Sequence, residues 1–221
     1  MQINEIFSSI EGEGIRSGYL ATFVRTQGCN LRCIYCDTKY SWDEDKGFVN
    51  MSIDEIVDKC RELGNRRITL TGGEPLLQPD IIELVERLTR ENYEVNIETN
   101  GAVDLKPLIK NDNIDRRQLI ITMDWKSPSS LMRDQMIWSN LLLLQQQDVL
   151  KFVVGSHEDL MDMVQTLLAT ENISYSVFVS PIFGQIEGQE IVAFMKQYHL
   201  EKVRLQLQLH KYVWPPEMRG V

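Results

Sequence analysis

Strand-like and helix-like segments alternate along most of this chain, and this alternation limits the folds that it can adopt. Apolar runs rich in branched side chains predict strands at 21–25, 67–71, 94–98, 119–123, 150–154, 175–179 and 203–207. Amphipathic stretches between them predict helices at 53–63, 81–92, 160–169 and 189–199. Ser52 and Glu55 form a capping box at the start of the first helix. Strands separated by helices build a mainly parallel sheet with right-handed crossovers, so we expect an α/β fold.

The number of strand–helix units narrows this fold further. Six or seven units are fewer than the eight of a closed TIM barrel, and several of the predicted helices are short. We therefore predict an incomplete, open TIM-like barrel of about six parallel strands with a reduced set of helices. No repeat, low-complexity tract or Pro/Gly-rich linker divides the 221 residues, so we expect a single domain over 1–221.

Polar and unusual residues come directly after the predicted strands. These segments are 26–29, 72–74, 99–101, 124–126, 180–181 and 208–210. The carboxyl ends of parallel strands meet at one edge of a barrel, which is where enzymes of this architecture carry their active sites. The sequence therefore predicts a functional site at this edge.

Composition and charge narrow the class of function. A formal net charge of −9 argues against a protein that mainly binds nucleic acid, because phosphate contacts need clustered Lys and Arg. Residues 1–14 lack the apolar core of a signal peptide. The longest apolar stretch, at 136–144, is too short to cross a bilayer. We expect a cytoplasmic protein with neither nucleic acid nor a membrane as its partner.

Three of the four cysteines, Cys29, Cys33 and Cys36, lie within eight residues, in the loop after the first predicted strand. Thiolates at this spacing can bind three irons of a [4Fe–4S] cubane and leave the fourth iron open for a ligand that is not protein. Zinc is the alternative, but structural zinc normally takes four protein ligands, and neither a histidine nor a suitable fourth cysteine lies close by. Cys60 falls within a predicted helix, where we expect a small apolar core residue.

The cysteine motif and the later Gly-Gly-Glu-Pro loop at 72–75 together resemble the radical S-adenosylmethionine (SAM) superfamily. Further motifs are similar to the 7-carboxy-7-deazaguanine synthase family, and they lie at 10–14, 23–25, 28–29, 36–38, 209–211 and 219–221. The resemblance implies a lyase that converts 6-carboxy-5,6,7,8-tetrahydropterin to 7-carboxy-7-deazaguanine with loss of ammonia, for queuosine-type nucleosides. In that reaction SAM binds the open iron, and one electron splits it to a 5′-deoxyadenosyl radical that abstracts hydrogen from C6.

The resemblance also implies which residues bind the cofactors and the substrate, and no catalytic residue beyond cluster and cofactor. The expected contacts to SAM are Tyr35, Cys36, Asp37, Gly73, Glu74, Asp124, Trp125, Lys126, Ser180, Pro181, Ile182 and Phe183. The expected contacts to the pterin are Ile10, Glu11, Gly12, Arg25, Thr71, His210 and Val221. The hydroxyl of Thr38 matches the position of a ligand to Mg²⁺, a hard ion that keeps much of its hydration.

The chemistry of several of these residues suits the implied roles. Arg25 ends an apolar strand, where its guanidinium needs either the substrate carboxylate or an internal acidic side chain. Gly72 and Gly73 allow the backbone to approach a ligand, and Glu74 can accept hydrogen bonds from the SAM ammonium group. Many relatives carry Gln where Glu11 stands, and a carboxylate can accept hydrogen bonds from ring N–H groups but cannot donate them.

The resemblance further implies an electron donor such as flavodoxin or ferredoxin, and a homodimer. Three alternatives remain open. A glycyl-radical-enzyme activase would share the cysteine spacing, although it has no obvious use for the segment 10–14 or for the motif at 36–38. A zinc-binding module without catalysis is the second alternative. A radical enzyme that modifies tRNA directly is the third, and the acidic net charge argues against it.

Overall fold

The computed structural model describes residues 1–43, 47–170, 173–215 and 218–221. Its strands are β1 (Gln2–Ile10), β2 (Leu20–Thr26), β3 (Val49–Asn50), β4 (Arg67–Gly72), β5 (Glu94–Thr99), β6 (Leu119–Lys126), β7 (Val149–Val154), β8 (Ser176–Pro181) and β9 (Val203–Leu205). Its helices are α1 (Ile53–Leu63), α2 (Ile81–Arg90), α3 (Lys106–Ile109), α4 (His157–Ala169), α5 (Gly188–Gln197) and α6 (His210–Val213). None of the helices in these ranges combines the length and apolar character needed to cross a membrane.

The strands form one sheet in the order β3-β1-β2-β4-β5-β6-β7-β8-β9. From β2 onwards each strand pairs in parallel with the next along this order. β1 is antiparallel to both β2 and β3. Because β3 and β9 lie at opposite ends of the order, the sheet stays open. The predicted open α/β barrel is confirmed, with seven parallel strands, and the capping box of Ser52 and Glu55 begins α1 as expected.

The sequence did not predict β1 or the two-residue β3, and β1 is the longer of these strands. It pairs with β2 along nearly its whole length, with a shift of register between Ile3 and Glu5. Its sequence, QINEIFSSI, lacks a clear alternation of apolar and polar residues. Glu5 pairs with Arg25, and Phe7 pairs with Phe23. Phe7, Phe23 and Arg25 line an internal cavity rather than a packed core. A strand that faces a polar cavity carries a weak hydrophobic period, which explains why the pattern missed it.

Successive side chains in each parallel strand alternate between an apolar core and the barrel interior. In β6, Ile121 and Met123 are fully buried in the hydrophobic core. Thr122, Asp124 and Lys126 instead line the internal cavity. Equivalent interior positions in neighbouring strands are also polar, with Thr71 on β4, Glu98 on β5 and Lys151 on β7. The sheet therefore carries its aliphatic core on one face and a charged cavity on the other.

Candidate active site

A cavity of about 790 Å³ lies in the barrel interior and extends to the carboxyl ends of the strands. Small-molecule sites are typically of this size. Of the predicted site residues, its wall includes Ile10, Glu11, Gly12, Arg25, Cys29, Cys33, Tyr35, Cys36, Asp37, Thr38, Thr71, Gly73, Asp124, Lys126, Ile182, Phe183, His210 and Val221. It does not include Glu74, Trp125, Ser180 and Pro181. The structure thus brings most of the predicted residues around one space.

The cysteine loop is closed by backbone hydrogen bonds. The Gly28 N–H donates to the carbonyl oxygen of Ser41 at 2.7 Å, and Gly28 has a φ of +98°, which favours glycine. The Ser41 N–H and hydroxyl both donate to the Thr38 carbonyl oxygen, at 2.9 and 2.7 Å. This closure places Thr38 beside the last cysteine, with 3.7 Å between Cys36 Sγ and Thr38 Oγ1.

All three thiols of the loop are free, partly buried and part of the cavity wall. Cys29 Sγ accepts hydrogen bonds from Leu31 N–H at 3.4 Å and from Asn100 Nδ2 at 3.7 Å. Burial raises the pKa of the Cys29 and Cys33 thiols, as expected where iron rather than solvent would stabilise the thiolates. N–H donors aimed at sulfur on one accessible loop fit an iron–sulfur cluster. Cys60 is fully buried in the core, as predicted.

The two glycines after β4 bring the Gly-Gly-Glu loop against the cysteine loop. Gly72 has a φ of +140°, and a Cβ at Gly73 would stand 2.1 Å from the Gly28 carbonyl oxygen. The Glu74 N–H donates to that same oxygen at 2.8 Å. We expected these glycines to let a ligand approach. The structure gives them a second role, because any side chain at Gly73 would push the two loops apart.

Glu74 lies behind the cavity wall and is fully buried. Its carboxylate accepts hydrogen bonds from the Thr99 hydroxyl at 2.9 Å, the Asn100 N–H at 2.7 Å and the Leu76 N–H at 3.1 Å. Burial raises its pKa to about 7. In this structure Glu74 therefore joins the loops after β4 and β5. Because Glu74 lies outside the cavity wall, its expected contact with the SAM ammonium group stays a prediction.

Three residues of the cavity wall carry a buried polar atom that lacks a partner in the described residues, and one of these atoms is Trp42 Nε1. The other two are Asp124 Oδ1 and the Tyr35 hydroxyl oxygen. The other Asp124 oxygen lies 3.0 Å from Lys126 Nζ and 3.7 Å from Lys151 Nζ. Although burial opposes ionisation, these two cations hold the pKa of Asp124 below its ordinary value. Buried polar atoms normally find a partner, so this part of the wall fits a ligand with hydroxyl and charged groups, such as SAM.

Trp125 and Ser180, two of the expected SAM contacts, do not line the cavity. Trp125 alternates with Asp124 and Lys126 along β6, so its ring lies in the core, edge-on to Trp138 at 5.1 Å between centroids. A contact of Trp125 with SAM would therefore have to come from its backbone, and the expected contact stays a prediction. The Ser180 hydroxyl is fully buried and lies 3.3 Å from Glu13 Oε1. Pro181 is the last residue of β8, and the next two residues, 182–183, line the cavity.

Arg25 pairs with an internal carboxylate while remaining part of the cavity wall. Its Nε lies 2.7 Å from Glu5 Oε1, which also accepts a hydrogen bond from the Tyr40 hydroxyl at 2.9 Å. Within the described ranges only Nε is engaged in this way, so two terminal nitrogens are left for a ligand carboxylate. The two interpretations of Arg25 are thus compatible, because Glu5 can fix the guanidinium in the orientation that such a ligand needs.

Glu11 is almost completely buried in the cavity wall and accepts a hydrogen bond from the Thr69 hydroxyl. Burial, with a smaller contribution from Glu98, raises the pKa of Glu11 to about 7. A large fraction of this side chain is therefore a neutral carboxylic acid near pH 7, and a carboxylic acid can donate a hydrogen bond. The expectation that Glu11 can only accept hydrogen bonds is therefore revised.

Replacing Glu11 with Gln should change how stability depends on pH. The folded parent keeps the Glu11 proton up to about pH 7, whereas the unfolded chain loses it near pH 4.5. The parent should therefore lose stability relative to Glu11→Gln as pH rises through this window, by about 3 kcal/mol in total. Urea unfolding of both proteins at several pH values measures the difference between their free energies of unfolding. The titration of Glu74 cancels from this difference, because both proteins contain Glu74. A stability difference independent of pH would contradict the prediction; Glu62→Gln, at an exposed position, is the control.

The segment after β9 closes one side of the cavity. The Leu209 N–H donates to the Gly12 carbonyl oxygen at 3.0 Å. The His210 ring packs so closely on Gly12 that a Cβ there would stand 2.1 Å from Nδ1. Arg219 lies over the Tyr40 ring, 3.5 Å from its centroid, and Val221 reaches the cavity wall. Lys211 Nζ lies 3.3 Å from the Asp37 carboxylate, which joins this segment to the cysteine loop.

Several polar residues of the cavity were not predicted as site residues. Lys151 Nζ lies 2.9 Å from Glu13 Oε2, and Glu98 accepts a hydrogen bond from the Thr71 hydroxyl at 3.0 Å. Glu13 lay within a recognised motif but was given no role. Lys151 interrupts the apolar run VLKFVV, and a single lysine inside a buried strand was the signal that could have revealed it.

Comparison with known proteins agrees with this geometry. Residues 23–136 match the model of the radical SAM superfamily. The whole chain is 42% identical to the 7-carboxy-7-deazaguanine synthase of Clostridium acetobutylicum, over 99% of that protein. It is 36% identical, again over its full length, to the synthase of Chlorobaculum tepidum, over 97% of that protein. The crystal structure of QueE from Escherichia coli superposes with a TM-score of 0.74 at 21% identity, covering 94% of this chain and 93% of that one.

Proposed function

Because this chain belongs to the 7-carboxy-7-deazaguanine synthase family of radical SAM enzymes, we propose that its cavity converts 6-carboxy-5,6,7,8-tetrahydropterin to 7-carboxy-7-deazaguanine with loss of ammonia. When bound, the cluster supplies the electron that splits SAM and so generates the radical that removes hydrogen from C6. The family membership favours this enzyme over the zinc-binding module and the activase that the sequence left open. The single 1–221 domain, which we also propose, would carry the whole activity.

The observation that carries the proposal is that one cavity brings together three kinds of group. The free thiols of Cys29, Cys33 and Cys36 would hold the cluster at one end. Asp124 and its neighbours would bind the ribose and carboxylate of SAM, using an oxygen that has no partner in the described residues. Arg25, which Glu5 fixes in place, would bind the pterin carboxylate by its terminal nitrogens.

The wall also contains groups that can orient the pterin ring and exclude water. Glu11 can donate or accept near neutral pH, which suits a ring edge that carries both N–H donors and acceptors. His210 and the segment that follows it would cover the bound ring from the side of Gly12. Such a cover keeps solvent away from a radical intermediate, which is one reason for enclosing the reaction.

The decisive experiment is turnover under anaerobic conditions. The reconstituted chain should contain about four irons and four sulfides if one cubane is present. With SAM, a strong reductant and 6-carboxytetrahydropterin, it should release ammonia and form the deazapurine chromophore. SAM cleavage without either product would favour the activase, and a colourless protein that holds zinc would exclude radical chemistry altogether.

We propose that Mg²⁺ binds at the Thr38 hydroxyl, with substrate and water supplying most of its ligands. The support is that Thr38 belongs to the cavity wall and that its hydroxyl lies 3.7 Å from Cys36 Sγ, beside the proposed cluster site. Replacing Thr38 with Ala should weaken the Mg²⁺ dependence of product formation while leaving iron content and SAM cleavage largely unchanged. Thr89→Ala, on the far helix α2, is the control and should leave the Mg²⁺ response as in the parent. An unchanged Mg²⁺ response in Thr38→Ala would place the ion elsewhere.

We further propose that flavodoxin or ferredoxin supplies the electron and that the chain forms a homodimer. Arg32 and Ile34 flank Cys33 and are both exposed, so the loop offers a short path from the surface to the cluster.

The support for the homodimer lies at the edge strand β9, which is followed by exposed apolar side chains: Leu207, Leu209, Tyr212 and Val213. Apolar side chains beside an open sheet edge suit burial by a second copy of the chain.

A further inference from the structure

Asn100, directly after β5, is buried beneath the cysteine loop and makes specific contacts with every polar atom of its amide. Its Oδ1 accepts a hydrogen bond from the Ala102 N–H at 2.9 Å. This bond fixes which end of the amide is oxygen, so Nδ2 points to the loop. Nδ2 lies 3.7 Å from Cys29 Sγ and 2.8 Å from Asn30 Oδ1. The amide is therefore a donor aimed at one of the three sulfurs.

The backbone of Asn100 is held as firmly as its side chain. Its N–H donates to Glu74 Oε2 at 2.7 Å, and the Thr99 hydroxyl donates to Glu74 Oε1 at 2.9 Å. Glu74 is fully buried, and its own N–H donates to the Gly28 carbonyl oxygen, one residue before Cys29. The loops after β4 and β5 thus form one rigid support, and Asn100 is the part of it that reaches a sulfur.

A hydrogen bond to a cluster sulfur has a defined effect on redox chemistry. Reduction adds negative charge to the cluster and its thiolates, and an N–H dipole aimed at sulfur stabilises the more negative state. We propose that Asn100 is a positioning residue that raises the reduction potential of the cluster by donating a hydrogen bond to the Cys29 thiolate. This inference rests on the [4Fe–4S] cluster of the proposed function. Its role is to bring the cluster within reach of a protein electron donor.

The test is a redox titration of the reconstituted cluster, followed by electron paramagnetic resonance, without the pterin. Asn100→Ala removes the donor, and Asn100→Asp replaces it with an oxygen of nearly the same shape. Both variants should shift the midpoint potential to more negative values, and the aspartate should shift it further. Asn30→Ala removes the other acceptor of the same amide and leaves the bond to Cys29, so its midpoint potential should match that of the parent. An unshifted Asn100→Ala protein, or an equal shift in Asn30→Ala, would overturn the proposal.

If the Asn100 variants fail to retain iron, a measurement on protein that keeps Asn100 can still test the hydrogen bond to Cys29. Pulsed electron–nuclear double resonance on the reduced cluster, with asparagine amides labelled with ¹⁵N, should detect a coupled nitrogen. The coupling should persist in the Asn30→Ala protein, and its absence there would refute the hydrogen bond. Reduction by flavodoxin should slow more than reduction by dithionite in the Asn100 variants. Because no step uses the pterin, failure of pterin turnover and failure of this inference are distinguishable.

Discussion

Replacing Gly73 with Ala is expected to prevent the cysteine loop from holding its cluster. The added Cβ would stand 2.1 Å from the Gly28 carbonyl oxygen, 2.6 Å from the Gly28 carbonyl carbon and 2.9 Å from Cys29 Cβ. Two of these atoms belong to the backbone, so no side-chain rotation relieves the overlap. The loop after β4 must move away, and with it the hydrogen bond from Glu74 N–H to Gly28 O. Cys29 then leaves the position from which the three thiols share one cavity.

Iron and sulfide analysis after anaerobic reconstitution measures this effect directly. We expect Gly73→Ala to retain only a small fraction of the iron of the parent and to show no measurable cleavage of SAM. Gly64→Ala is the matched control, because Gly64 has a φ of +71° at the end of α1 and nothing within 4 Å of its Cβ position. This control should lose about 1 kcal/mol of stability and keep its full iron content. Full iron loading of Gly73→Ala would contradict the prediction, because it would show that the cysteine loop still holds its cluster when the loop after β4 moves away.

Replacing Lys151 with Met should produce the largest loss of stability of any substitution considered for this chain. The Lys151 ammonium is almost completely buried, 2.9 Å from Glu13 and 3.7 Å from Asp124. It also offsets the charge of Glu98, which is why its own pKa is raised despite the burial that opposes it. Methionine has a similar length but no charge, so it leaves the Glu13 carboxylate buried without this cation, whereas Asp124 keeps Lys126. Breaking a buried ion pair from one side costs about 3–5 kcal/mol.

Urea unfolding at pH 7, with and without reconstitution, tests this expectation. Lys59→Met is the matched control, because Lys59 forms an exposed ion pair with Glu62 on α1, and loss of such a pair costs less than about 1 kcal/mol. The Lys151→Met protein should regain part of its stability at low pH, where the carboxyl groups can take up protons. Equal losses in the two variants would mean that solvent reaches Lys151 and screens the network.

The regular part of the fold could be predicted because each parallel strand has one face packed in an aliphatic core. The segments around Ile68, Ile97 and Ile121 carry branched residues on that face, and these produced the predicted strands. The helix α1 followed from its capping box and its apolar period. The position of the site followed from the polar residues after each strand, since parallel strands bring these to one edge.

The interior of the barrel could not be predicted in the same way, because its residues pair across strands that are distant in sequence. Lys151 meets Glu13 across 138 residues, and Asn100 meets Cys29 across 71. The protonation of Glu11 depends on its burial and on Glu98, neither of which a local pattern contains. Trp125 was predicted as a site residue together with Asp124 and Lys126, and only the structure shows that the alternation of side chains along β6 turns its ring into the core.

The charged inner face has a thermodynamic consequence for the empty protein. A closed barrel fills its centre with layers of branched side chains, whereas here the centre is a cavity that the proposed function assigns to cofactor and substrate. Any ligand that binds only the folded chain adds stability in proportion to the logarithm of its concentration, about 2.7 kcal/mol at a hundredfold excess over its Kd. Starvation for iron would therefore lower the stability of the protein as well as its activity. The protein without its cluster would unfold more often, and cellular proteases would degrade it faster.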